Sequence, residues 1–138
     1  MNTQLILSWL LRVTIAAIYL QTLYFKFTAH PDSTHIFSAL GLEPYGRIGL
    51  GFVELITAVL VLVPTTRIIG LVISLGIISG AIFSHFLVLG IHVQGDGGGL
   101  FALAVIVFLA TVAALWLHRT EVGALAQKTL NQWTAKPA

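Results

Sequence analysis

The sequence predicts an all-α integral membrane protein: a four-helix bundle with a short interfacial helix between the first two spans and an amphipathic helix at the C-terminus. Three observations predict it. Hydrophobic residues make up 57% of the 138 positions, and mean hydropathy is +0.96. Only 9% of residues are charged, against about a quarter in a soluble domain, too few to coat a water-facing globule. Four apolar runs of about 20 residues can each cross a hydrocarbon layer ~30 Å thick, where a chain must satisfy its own backbone hydrogen bonds. This composition excludes a disordered chain, a nucleic-acid-binding module and a soluble enzyme. Net charge is +2 and the basic residues are scattered, so the pI near 9.3 implies no polyanion partner. With no cysteine, disulfides and thiolate metal centres are absent, and redox chemistry would require a borrowed cofactor.

The elements follow in order within a single domain, residues 1–138, without internal repeats. The first span covers 5–25. It is too long for a signal-peptide core, contains Arg12 and lacks a small-residue cleavage site before Lys26. In the connection 27–45, Asp32 or Ser33 caps a short helix, Ile36, Phe37, Ala39 and Leu40 form its apolar side, and Gly41 ends it. The second span, 46–63, starts among Gly46, Gly49 and Gly51, and Pro64-Thr65-Thr66-Arg67 makes a tight turn into the third, 68–91. There Gly76, Gly80 and Ser84 recur every four positions, a ridge that lets a neighbouring backbone approach closely. Packing within the chain is the first expectation, and a homo-oligomer the alternative. Val93 to Gly99 reads as a flexible glycine-rich turn; a phosphate cradle would need a following Lys and Ser/Thr. The fourth span is 100–117. The tail, 118–138, carries a weak amphipathic helix over 120–133, expected on the membrane surface, with His118 as a surface residue.

Loop charges set the expected orientation. Arg67, Arg119, Lys128 and Lys136 share one side with both termini, while the other holds Lys26 and Arg47, diluted by Asp32, Glu43 and Asp96. Both termini are therefore expected in the cytoplasm.

Ionisable groups inside spans cost about 2.5–3.5 kcal/mol each on insertion scales, so each requires a partner or a purpose. In the first span Ser8, Arg12, Ile15, Tyr19, Thr22 and Lys26 fall on one helical face. The second offers Gly51, Glu54 and Ala58, with Arg47 seven before the carboxylate; the third offers Ser74, Ala81, His85 and His92; the fourth has Thr111. One polar seam lined by three helices is the simplest packing. Glu54 lies about 12 Å below the outer boundary, between Arg12 at roughly 21 Å and Lys26 with His85 above it. Mid-span, it must be paired, protonated or beside a wet cavity, and an Arg12–Glu54 pair could serve purely as structure. By itself His85 is more often a hydrogen-bonded bundle histidine than a ligand, and Arg12 and Lys26 each have a snorkelling alternative.

His30, His35, His85 and His92 all fall on the outer side, with Asp32, Glu43 and Asp96, which makes a metal or haem site conceivable. But His85 and His92 are about 10.5 Å apart in rise along one helix, too far to share a metal without a loop ligand. No metal and no covalently bound cofactor is expected.

The ordered set Arg12, Tyr24-Phe25-Lys26-Phe27, Gly41-Leu42-Glu43-Pro44, Gly51-Phe52-Val53-Glu54-Leu55, Val63-Pro64-Thr65-Thr66-Arg67 and Gly80-Ala81-Ile82-Phe83-Ser84-His85 resembles the DoxX family of small bacterial four-span membrane proteins. The resemblance spans about residues 5–117 and rests on order and spacing. It implies a location in the bacterial cytoplasmic membrane and a link to quinone or thiol redox systems as an accessory subunit. It also places the family's recurring Arg, Lys, Glu and His at Arg12, Lys26, Glu54 and His85. A fold carries a reaction only weakly, so three functions stand open. The first is a quinone-binding accessory of an oxidoreductase partner subunit, with Lys26, His85 and Tyr19 as donors, Glu54 as proton relay, and Tyr24, Phe83 and Phe86 framing a ring. The second is a scaffold or assembly factor whose seam is structural, and the third a small-molecule or proton transporter using Glu54.

Overall fold

The computed structural model describes residues 2–135; Lys136, counted above on the cytoplasmic side, lies outside them. Its helices are α1 (Thr3–Phe27), α2 (Pro31–Ala39), α3 (Tyr45–Leu62), α4 (Arg67–Ser84, prolonged by a π turn His85–Leu89), α5 (Gly99–Leu117) and α6 (Arg119–Thr134). Four of them, α1, α3, α4 with its π turn, and α5, are long and apolar enough to cross a membrane. The chain is a multi-pass integral membrane protein.

The spans form a ring in the order α1, α3, α4, α5, with α1 and α4 on opposite corners. Ile15, Val61, Leu71 and Val107, one from each span, are fully buried at its centre. Leu10, Leu20, Ile56, Val72 and Leu109 point outward. That outward apolar surface, a liability in water, is what hydrocarbon solvates.

At the Arg67 end the spans are tied closely. A Cβ on Gly70 would lie 2.6 Å from the Val61 nitrogen, so α3 and α4 touch backbone to backbone there. The Gly76, Gly80 and Ser84 ridge does not do the packing expected of it. Gly76 and Gly80 are exposed, and nothing lies within 4 Å of a Cβ built on either. The close approach is spent at Gly70, and beyond it the flank of α4 opens. His118 also departs from expectation: its side chain is only 12% exposed. Its Nε2 meets Ser8 Oγ at 2.7 Å and its Nδ1 meets Glu121 Oε1 at 3.0 Å. Arg67 Nη2 donates to the same carboxylate oxygen at 2.6 Å. The network joins α1, α4 and the α5–α6 junction. The Arg67 and His118 hydrogen bonds hold the Glu121 carboxyl below its usual range. Helix α6 has no buried residue, and Leu130 and Trp133 are exposed on it.

The connections at the Lys26 end position the site. His30, not Asp32 or Ser33, caps α2: its Nδ1 accepts from the Asp32 amide at 3.3 Å, and Pro31 takes the first helical position. Ser33 and Phe37 form the buried side, while Ala39, expected inward, is exposed. Gly41, at φ +70°, ends the helix as expected. The third span does not run as a regular helix to residue 91. Beyond Ser84 it widens into the π turn, Gly90 donates to the His85 carbonyl at 2.8 Å, and φ +73° at Gly90 stops the helix. The glycine-rich loop, expected to be a flexible turn, is built around one carboxylate. Asp96 Oδ1 accepts from the amides of Val93 and Gly98, and Oδ2 from that of Leu100, each at 2.9 Å. These three donors hold the Asp96 carboxyl below its ordinary range. The amides that might cradle a phosphate already hold an anion of the chain's own.

Candidate functional site

At the Lys26 end α1, α3 and α4 surround a half-open cavity of about 830 Å³. Helix α2 and the start of α5 complete its wall, and the surface is mostly apolar: Ile18, Leu50, Ile77, Leu100 and Leu103 are typical. Exposed Gly76 and Gly80 belong to the same wall. They stand on an exposed face of α4, so this edge of the cavity wall continues onto the outer surface of the bundle.

Polar groups interrupt this wall at three places. Lys26 Nζ lies 2.8 Å from Glu54 Oε2, and both side chains are about nine-tenths buried. Thr22 Oγ1 donates to the same oxygen at 3.0 Å. Carboxylate and ammonium thus satisfy one another across α1 and α3, where either alone would be costly. Arg47 sets the register from outside: it pairs with Glu43, Nη2 to Oε1 at 2.8 Å, and its Nη1 donates to the Lys26 carbonyl. His85, buried in the π turn, donates from Nδ1 to the Gly90 carbonyl at 2.7 Å. Its ring meets Phe101 edge-on, centroids 5.4 Å apart. Among the described residues no side-chain nitrogen or oxygen is both buried and without a partner. Glu54 Oε1 and His85 Nε2 make no bond to protein, and both residues line the cavity. Those two atoms are therefore reached from it.

Two members of the expected seam belong elsewhere. Arg12 does not meet Glu54. Its Nε and Nη2 donate to the Val61 and Leu62 carbonyls at 2.6 and 2.5 Å, and its guanidinium stacks over Trp9 at 4.3 Å. The C-terminus of α3 presents carbonyls that no next turn can use, and a buried guanidinium satisfies them. Nor does Arg12 snorkel; it is 1% exposed. Tyr19 reaches the cavity floor, but its hydroxyl is committed: it donates to the Ser74 carbonyl at 3.2 Å and shares a 2.9 Å bond with Ser74 Oγ, which meets Thr111 Oγ1 at 3.0 Å. This knot joins α1, α4 and α5.

The outer histidines do not converge. His92 falls in the loop beyond the π turn and is exposed, because the helix that would have carried its heptad register has already ended. His30 caps α2, and His35 is exposed on it. Among the described residues no three His, Cys, Asp or Glu side chains gather where a metal could sit. Of the aromatics expected to frame a ring, Tyr24, Phe83 and Phe86 point outward; Phe25 and Phe37 line the cavity instead. Sequence reasoning did not identify Ser33 and Asp32 as cavity residues, since nothing in their spacing shows that α2 folds back over the spans. Arg47 and Glu43 stand i, i+4, but the sequence reading places them as loop charges and, for Arg47, seven residues before Glu54; their pairing is a finding of the structure.

Fold and site together define a class: a four-span helical membrane protein with a half-open polar–apolar cavity in one half of its bundle. No family model, curated protein or solved structure matches the chain.

Proposed function

We propose that this is a DoxX-like accessory subunit of a membrane redox system, which binds the headgroup of a quinone-type lipid in the cavity beside Lys26, Glu54 and His85. The observation that carries this reading is the cavity: about 830 Å³, mostly apolar, open at its edge, and furnished with an ion pair and an imidazole. A membrane-dissolved ligand needs an entry from lipid, apolar walls for its ring and tail, and a few polar atoms to orient it. The cavity supplies the walls and the polar atoms in one place, and its exposed edge at Gly76 and Gly80 supports an entry from lipid. The chain has no cysteine and brings no electron carrier among its side chains. Electrons would pass between the bound ligand and an oxidoreductase partner subunit. In this reading the membrane is the bacterial cytoplasmic one, both termini face the cytoplasm, and the cavity opens in the outer leaflet.

Transport is the less favoured function. Ile15, Val61, Leu71 and Val107 belong to one fully buried apolar cluster, which favours a closed bundle over a polar conduction path. The scaffold reading draws on Arg12 and Tyr19, whose polar atoms are engaged with the protein itself. One substitution separates it from ligand binding. Glu54→Gln keeps the shape and removes the charge. It is expected to lower affinity for a short-chain quinol, the form that can donate to the carboxylate, about tenfold, the loss of one charge-assisted contact, and to lower the melting temperature as well, because Lys26 loses its buried partner. A variant that melts early and binds as well as wild type would assign the pair to structure.

A further inference from the structure

The hydrogen-bonding polarity of the cavity selects between the two redox forms of such a ligand. Oxidised, a quinone presents two carbonyl oxygens, which only accept. Reduced, it presents two hydroxyls, each able to donate and to accept. What faces the ligand depends on which protein atoms are already spent. The Tyr19 hydroxyl proton goes to the Ser74 carbonyl. The Thr22 proton is shared between the Tyr19 carbonyl and Glu54 Oε2, and all of Asp96 is taken by backbone amides. His85 Nδ1 must carry the hydrogen, since the Gly90 carbonyl can only accept; in the neutral ring Nε2 is then a bare acceptor. The π turn fixes this tautomer by bringing the Gly90 carbonyl beneath the ring.

The open groups are therefore two interior acceptors, Glu54 Oε1 and His85 Nε2, a third acceptor at the mouth in Asp32, and the spare protons of Lys26. Ser33 can act either way and does not discriminate. We infer that the site is built for the reduced, dihydroxy form of a lipid-soluble quinone, its hydroxyls donating to His85 Nε2 and Glu54 Oε1, an inference that rests on the quinone reading above. An oxidised ring can take a proton from Lys26 at one carbonyl, but it would set its remaining lone pairs against two acceptors, desolvated and without a donor. Lys26 serves both forms, because a hydroxyl oxygen accepts from it as a carbonyl does.

The test is anaerobic calorimetric titration of the whole chain in nanodiscs with decylubiquinone and with decylubiquinol. The reduced form is expected to bind at least about tenfold more tightly, the discrimination that one buried acceptor left without its donor supplies. His85→Phe keeps an aromatic ring against Phe101 and removes Nε2. In that variant the preference should shrink toward unity through a loss on the reduced side alone. Equal binding, or tighter binding of the oxidised form, overturns the inference while the quinone reading stands. If neither form binds, the quinone reading falls and the inference falls with it. The comparison on the unaltered chain is decisive even if His85→Phe does not fold.

Discussion

Arg12 carries a full charge into the bundle and meets no carboxylate. Its hydrogen bonds to the Val61 and Leu62 carbonyls make it the cap that α3 lacks in its own sequence, because Pro64 follows at once and cannot continue the helix. Removing it strands two carbonyls in a place water does not reach. Arg12→Ala is expected to cost about 3 kcal/mol, from two hydrogen bonds to a charged donor at roughly 1.5 kcal/mol each, read as a lowered melting temperature in detergent. Ligand affinity should hold in the fraction that remains folded, since Arg12 lies outside the cavity wall. Glu54 predicts a different pattern, affinity lost together with part of the stability, because Lys26 is left without its partner. The two charged residues of one expected seam thus separate into a structural group and a binding group.

At the scale of elements, the site is built by several helices together. Gly70 locks α3 to α4 at the Arg67 end, while α2 and the Asp96 loop contribute to the cavity wall at the other. Asp96 is the fastening of that loop, and its titration gives a prediction with a definite sign. Its carboxyl is depressed in the folded chain by three amide donors, so its contribution to stability is present above the unfolded value, about 3.9. That contribution is lost as the pH falls through the lower folded value. Asp96→Asn should therefore melt below wild type by a constant margin from neutral pH down to about 4. Below that the two melting curves should draw together. A margin that stays unchanged in acid would show that the carboxylate charge does not organise the loop.

For the whole molecule, the decisive property is its direction in the membrane. The chain is cysteine-free, so a single introduced thiol reports its own side without background. Ser38 on α2 and Gln127 on α6 are both exposed, at opposite ends of the bundle. With the termini in the cytoplasm, Ser38→Cys should react with a membrane-impermeant maleimide on intact cells, and Gln127→Cys only after lysis. The reverse pattern would turn the cavity toward the cytoplasm and with it the source of any ligand. The Ser8, His118, Glu121 and Arg67 network closes the far end whichever way the chain inserts.

Much of this was legible in the residue order. Runs of apolar residues longer than a bilayer is thick leave a chain little alternative to spanning helices, since hydrocarbon offers no partner to an open backbone. The face of α1 that carries Ser8, Arg12, Tyr19 and Lys26 was readable too, because helical periodicity is a local property. Which partner each polar group takes was not. Glu54 had Arg12, Lys26 and His85 within plausible reach along the helix axes, and only the packing of α3 against α1 gave it to Lys26. The small-residue ridge of α4 signalled close approach, yet whether a neighbour comes is decided by how the helices pack, and the close contact falls at Gly70 instead. A π turn, a helix folded back over the spans and a cavity walled by several helices arise from contacts between segments far apart in the chain. Spacing along one helix encodes a face; what that face meets is decided by the helices around it.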